Sequence, residues 1–228
     1  MNATLPRRLL AEGLGSALLL AVVVGSGIMA ESLSGGNTGL ALLANALATG
    51  AGLYALILTF GPVSGAHFNP AVSLFEALRG RMAWSHAAAY AGMQAIGAVL
   101  GVWLAHAMFA RPLWQLSAHV RTGGAQWLAE TVATAGLLLV IASTTRHRRD
   151  STPAAVATYI TAAYWFTAST AFANPAVTLA RALTDSFAGI RPQDAPGFVL
   201  AQLGGVLVAA AVARVLFDDR PGGMRLSG

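Results

Sequence analysis

The chain has no cysteine and no lysine, and only 10% of its 228 residues are charged. Without cysteine there is no disulfide framework and no thiolate metal site, and the redox compartment cannot be read from that count. Without lysine, all fourteen basic residues are arginine. They lie scattered between apolar runs and form no single patch, so the net charge of +5 gives no ground for a nucleic-acid partner. Arginine and alanine in plenty beside no lysine point to a GC-rich bacterial source. What fills the chain instead is apolar: 56% hydrophobic residues and a mean hydropathy of +0.62 describe a protein dissolved in lipid, an integral membrane protein.

Apolar runs of spanning length lie near residues 9 to 30, 40 to 60, 86 to 108, 125 to 145, 153 to 168 and 196 to 217. Roughly 20 residues of helix cross a bilayer, so six spans are expected. The first run, behind Arg7 and Arg8, could in isolation be a signal peptide ending near "GIMAES". Its length and its repeat partner downstream argue for a retained span. In the six-span order, Arg7, Arg8, Arg79, Arg81, Arg146, Arg148, Arg149, Arg214, Arg220 and Arg225 share one side, against Arg111, Arg121, Arg181 and Arg191 on the other. That asymmetry places both termini in the cytoplasm, here the cytoplasmic side of an inner, multi-pass membrane.

Three landmarks recur in one order. "LLAEGLGSALLL" pairs with "WLAETVATAGLLL" and aligns Glu12 with Glu130; "HFNPAVSLFEAL" pairs with "FANPAVTLARAL" and aligns Asn69 with Asn174; "GMQAIGAVLG" pairs with "LAQLGGVLVA" and aligns Gln94 with Gln202. The separations are 118, 105 and 108 residues. Each half reads as helix, helix, short Asn-Pro-Ala segment, helix. An odd number of spans per half makes residues 9 to 108 and 125 to 217 an inverted pair, joined through the linker "RHRRDSTP".

Asn is a preferred N-cap and Pro is favoured at the first helical position, so Asn69-Pro70-Ala71 and Asn174-Pro175-Ala176 each open a short helix. Neither segment can span alone. Non-helical backbone survives at membrane depth only where protein buries it or water touches it, so "GPVSGAHF" and "FTASTAFA" should re-enter the membrane and line a polar path. Inverted halves would bring the two helix starts together near the bilayer centre. Each asparagine would cap its own helix and aim amide hydrogens at a passing solute. Both positive dipole ends, equivalent to roughly half an elementary charge each, would oppose cations and protons.

At these residues the chain resembles the aquaporin and aquaglyceroporin family, the major intrinsic proteins, over essentially all of residues 9 to 217. The resemblance implies an all-α membrane fold of six transmembrane helices plus two re-entrant half-helices, one channel domain over residues 1–228. It implies a passive channel for water or small uncharged solutes, with no cofactor and no resident metal, usually assembled as a homotetramer with one pore per subunit. Carried over by motif, the carbonyls of Gly65, Ala66 and His67 and of Thr170, Ala171 and Phe172 would form an acceptor ladder flanking the asparagines.

The departure is at Val177. In the family, an arginine usually follows the second Asn-Pro-Ala and forms part of the outer selectivity filter; here the place holds Val177, matching Val72 in the first half. Counted from the asparagines, Thr49, Ala162 and Ala171 would fill the other filter positions, giving a wide and weakly polar constriction. Arg181 lies four residues beyond Val177, one helical turn or roughly 6 Å on. Two readings stay open for it: a substitute charge at the mouth that attracts oxyanions, or a residue that caps the half-helix or snorkels to headgroups.

Glu12 and Glu130 lie well inside spans, where an ionisable group costs roughly 2.5 to 3.5 kcal/mol. The resemblance makes each an acceptor for re-entrant loop amides. A proton relay is the competing reading, and it would need more titratable groups than His67, itself read as a loop brace. Gln94 and Gln202 read as interhelical hydrogen-bond formers. The ladders Gly13, Ala17, Ala21, Gly25 and Ala201, Gly205, Ala209, Ala213 allow close helix packing. "GSG" at residues 25 to 27 lacks the partnered His and acid of a hydrolase, and the tryptophans read as interface anchors or packing.

A passive channel accounts for both half-helices and the scarce intramembrane charge. An ion-coupled secondary transporter of the same solutes shares inverted repeats but needs an ion site or titratable pair beyond the two glutamates. An intramembrane enzyme needs a nucleophile and base or a metal cluster. The missing filter arginine extends the expected solutes from water to glycerol, urea-sized molecules and neutral metalloid hydroxides such as arsenous and antimonous acid, and further to methylated arsenic oxyacids. Lipid is the other expected partner.

Overall fold

The computed structural model describes residues 3–217. Arg220 and Arg225, assigned above to the cytoplasmic side, lie outside the described residues. Eight α-helices and no strand occur among the described residues: α1 Leu5–Leu33, α2 Thr38–Ser64, α3 Pro70–Leu78, α4 Trp84–Met108, α5 Gly124–His147, α6 Thr152–Phe166, α7 Pro175–Arg181 and α8 Ala195–Leu216. The helix starts follow local chemistry. Asn37 caps α2 by accepting from the Leu40 amide at 3.0 Å, and proline occupies the first turn of α1, α3, α6, α7 and α8. Gly65, at φ 92°, ends α2 in the left-handed region.

Five helices (α1, α2, α4, α5 and α8) are long and apolar enough to cross a membrane. The sixth expected span, at 153 to 168, is a helix of nearly the expected length and shorter than those five. Helix α6 has 15 residues, about 22 Å at 1.5 Å per residue, preceded by one 3₁₀ turn at Arg149–Ser151. It stops because Thr167 turns extended, at φ −114° and ψ 138°, and the chain leaves the helix to re-enter the bundle.

Within the first half α1 packs against α2 and α4; within the second α5 packs against α6 and α8; α2 against α6 joins the halves. The short helices α3 and α7 both lie between α4 and α8 and touch each other. Large apolar side chains that face outward, such as Leu14, Leu47, Leu104, Leu128 and Leu207, give the bundle a surface suited to hydrocarbon. Trp84, Trp114, Trp127 and Trp165 are exposed on that surface, and the Trp103 ring meets Trp114 edge-on at 4.7 Å. Ser26, from the "GSG" stretch, accepts from Asn45 Nδ2 at 2.8 Å and so ties α1 to α2.

The small-residue ladders have specific counterparts. A Cβ at Gly97 would run into the Gly13 carbonyl oxygen, one at Gly101 into that of Ala17, and one at Gly205 would come within 2.7 Å of the Thr131 carbonyl oxygen. Close backbone approach thus holds α4 to α1 and α8 to α5. Gly97→Ala should cost about 1–3 kcal/mol, because the obstruction is backbone and cannot swing aside. Gly92→Ala, with open space around its Cβ, is the matched control. Thermal unfolding of the purified protein in detergent reads both, and equal midpoints would remove this account of the α1–α4 seam.

Candidate functional site

The two Asn-Pro-Ala segments meet. Asn69 accepts from the Ala71 amide at 2.9 Å through Oδ1, and its Nδ2 donates to the Ala173 carbonyl at 2.7 Å. Asn174 accepts from the Ala176 and Val177 amides at 3.0 and 3.2 Å, and its Nδ2 donates to the Phe68 carbonyl at 2.8 Å. Each asparagine therefore caps its own half-helix and grips the backbone of the opposite hairpin. A primary amide carries two N–H bonds, so one per asparagine is spent on this clasp, and the sequence expectation that both serve a solute is halved. Pro70 and Pro175 open the half-helices, and Ala71 and Ala176 are buried behind them.

The loops before the asparagines share an unusual backbone. Ala66 and Phe68 have φ of 50° and 48°, and Ala171 and Ala173 have 49° and 47°, each pair 105 residues apart like the asparagines. Left-handed non-glycine residues cost about 1–3 kcal/mol each, so something must hold them. Glu12, fully buried, accepts from the His67 amide at 3.0 Å, the Phe68 amide at 2.7 Å, Ser64 Oγ at 2.6 Å and Gln94 Nε2 at 2.7 Å. Glu130, equally buried, accepts from the Phe172 and Ala173 amides at 2.9 Å each and from Gln202 Nε2 at 2.6 Å. Gln94 also donates to Ser73 Oγ at 3.2 Å and Gln202 to Thr178 Oγ1 at 2.8 Å, so each glutamine joins its glutamate to a half-helix. His67 Nδ1 lies 3.0 Å from Ser73 Oγ and its ring meets Tyr90 edge-on, which braces the first loop.

One cavity of about 910 Å³ runs past these groups. Arg81, Arg146, Arg149 and Asp150 line it toward the end where α8 finishes beside Arg146; Asn69, Asn174 and the loop residues Gly65 to Phe68 and Ala171 to Ala173 line its middle. Thr49, Val177, Tyr164 and Arg181 line the remaining end. Thr170, expected in the acceptor ladder, is not part of the lining; its amide donates to the Thr167 carbonyl in the turn above.

The fourth filter position is corrected. Ala162 does not line the cavity and is exposed on the outer surface of α6. Val156, Ile160 and Tyr164, spaced by four along α6, face inward instead. Counting back from Asn174 gave the right helix but the wrong face, since two residues turn a helix by about 200°. Tyr164 is 4% exposed and its hydroxyl donates to Thr49 Oγ1 at 3.2 Å. This end of the cavity is therefore narrower and more polar than four small side chains would make it.

Arg181 faces the cavity while its Nε donates to the Ala188 carbonyl and its guanidinium lies over the Phe172 ring. It tethers the chain after α7 and lines the cavity, but it is buried, so it does not snorkel to headgroups, and its bond goes to Ala188 and not to α7's own last carbonyls. Arg121, on the segment 109–123, is buried behind it, and no sequence motif marked it. Burial lowers its pKa to about 10, which leaves it charged at neutral pH. Arg191 donates twice to Asp194, at 2.9 and 3.1 Å, which holds that carboxyl below its ordinary range; Asp194 Oδ2 also accepts from the Arg121 amide at 2.9 Å. Ser64 was likewise missed, and so was Ser169, whose hydroxyl accepts from the Ala171 amide at 3.2 Å as Ser64 Oγ does from the Ala66 amide at 3.0 Å. Their common spacing of 105 residues was the available signal.

Comparison with known proteins finds a family, relatives and a shared fold. Residues 1–167 match the family described as Major intrinsic protein. The chain is 56% identical over 214 residues to a protein named Aquaglyceroporin AqpS from Rhizobium meliloti (strain 1021), covering 94% of this chain and 91% of that one. It is 38% identical over 102 residues to Aquaporin-9 of Homo sapiens, covering 44% and 34% of the two chains. Among solved structures, the aquaglyceroporin from Plasmodium falciparum shares the fold, with a TM-score of 0.72 at 22% identity, covering 93% of this chain and 97% of that one.

Proposed function

Because the chain belongs to the major intrinsic protein family, a family of membrane channels, we propose that it conducts water and small uncharged solutes passively through the cavity between its two hairpins. The single observation that carries this reading is the reciprocal clasp, Asn69 Nδ2 to the Ala173 carbonyl and Asn174 Nδ2 to the Phe68 carbonyl, set in the middle of a cavity lined toward both ends of the bundle. The remaining N–H of each asparagine serves the solute, and the carbonyls of Gly65, Ala66, His67, Ala171 and Phe172 accept from it in turn. Two opposed half-helix starts at that point disfavour cations.

The selectivity filter in this proposal is Thr49, Tyr164, Ala171 and Val177. With valine where the family usually has arginine, it carries no fixed charge at the constriction, and the Thr49–Tyr164 hydroxyl pair supplies its polarity. Neutral polyols and neutral metalloid hydroxides, which need hydrogen bonds but no counter-charge, suit such a ring. Glycerol, arsenous acid and antimonous acid are the proposed solutes beside water, with methylated arsenic oxyacids as an extension. The protein is proposed to sit in a bacterial inner membrane as a homotetramer, termini in the cytoplasm.

Proteoliposomes containing the purified chain should take up glycerol and arsenous acid faster than empty vesicles. The rates should be unchanged by an imposed proton or sodium gradient. Gradient-driven accumulation above the external concentration would replace the channel by the ion-coupled transporter.

A further inference from the structure

Two buried arginines stand together at the cavity end that Thr49 and Val177 line, and the passage of neutral solutes requires neither. Arg181 is 2% exposed and Arg121 7%, and both guanidinium groups lie on one ring, 3.4 and 5.2 Å from the centroid of Phe172. Arg121 is held by carbonyls alone: Nε donates to Gly189 at 2.8 Å, Nη1 to Ser169 and Nη2 to Phe187, both at 3.4 Å. Arg181 donates through Nε to the Ala188 carbonyl. Among the described residues its two terminal nitrogens make no hydrogen bond, and the side chain lines the cavity.

The carboxylates of Asp194, Asp185 and Glu130 are committed elsewhere. Asp194 binds Arg191 and the Arg121 amide, Asp185 accepts from the Ala118 amide at 3.0 Å, and both oxygens of Glu130 hold the Phe172 and Ala173 amides. Two like charges against one aromatic ring repel, and a buried cation without a carboxylate is costly. A planar fork with its terminal N–H groups open to a cavity is matched by an oxyanion, which two parallel charge-assisted hydrogen bonds would hold. Phe172 closes one side of the seat by packing on Phe198 at 5.1 Å, so the anion enters from the cavity.

We infer that Arg181, with Arg121 behind it, forms a binding site for a small oxyanion of the phosphate class at the mouth of the cavity. An anion seated there stands one helical turn from Val177 in the path of neutral solutes, so its occupancy slows their passage. The second consequence rests on the channel reading; the binding itself does not.

The test uses the full chain in detergent and in proteoliposomes, with inorganic phosphate as the probe and chloride at matched ionic strength as the reference. Phosphate should raise the thermal unfolding midpoint saturably and should slow glycerol uptake over the same concentration range. Arg181→Gln should weaken phosphate binding about tenfold or more, the loss expected for a charged hydrogen bond. Arg181→Lys, which keeps the charge but loses the fork, should fall between, and monodisperse elution with native helix content checks that both variants fold. No phosphate-specific shift in the unaltered protein, or the same shift in a folded Arg181→Gln protein, overturns the inference. Phosphate binding without any glycerol flux would instead count against the channel and leave the anion site standing.

Discussion

Glu12→Ala should give a protein that unfolds far below the unaltered one and conducts little. The carboxylate is fully buried and receives four hydrogen bonds, from the amides of His67 and Phe68, from Ser64 Oγ and from Gln94 Nε2. Alanine strands those donors away from water, and each unsatisfied buried donor costs about 1–3 kcal/mol. The same bonds hold Ala66 and Phe68 in the left-handed region, so the first hairpin would relax out of the shape that presents its carbonyls. Removing one side of a buried charged network typically costs roughly 3–5 kcal/mol, a large part of a domain's margin. Glu130→Ala should behave alike but less severely, because that carboxylate receives three bonds, from the Phe172 and Ala173 amides and Gln202. Thermal unfolding in detergent and glycerol uptake read the ranking. Midpoints within a degree or so of the unaltered protein would mean that the glutamates do not hold the hairpins.

The second large effect is expected from Val177→Arg. Val177 is buried, lines the cavity and shares its end with Thr49 and Tyr164, whose hydroxyls are already bonded to each other. An arginine there fills the ring with a long cationic side chain, about one helical turn from Arg181. Glycerol and arsenous acid should then lose about tenfold or more in flux relative to water, equivalent to about 1.4 kcal/mol of added barrier. Water needs the least room and suffers least. An unchanged ratio of glycerol to water flux would show that the constriction lies elsewhere along the cavity.

Much of the candidate site was legible because its logic is local. Asn before Pro before a short apolar helix is a cap wherever it stands, and the same tripeptide 105 residues on exposes the duplication. Glutamate within an apolar run demands partners, and the paired Gln94 and Gln202 stand where they are needed. Ala162 shows the limit of such reading. Its helix was identified, but which face of α6 meets the cavity depends on how that helix leans on α2 and α5, and Tyr164 is the residue presented. Arg121 shows another limit, since nothing in its own neighbourhood says that it will be buried against Phe172 some fifty residues away.

The sequence by itself determined the membrane-spanning class, the duplicated Asn-Pro-Ala segments, the two helix starts and the absence of a cation next to the second one. These follow from hydropathy, capping and spacing, which act over a few residues or repeat along the chain. Only the tertiary structure decided that each asparagine spends one N–H on the opposite hairpin, that Tyr164 and not Ala162 lines the cavity, and that two arginines share one ring. Those are matters of which side chain points where after helices pack. A rotation of α6 by half a turn leaves every local preference satisfied while it exchanges the residues that face lipid for those that face the cavity.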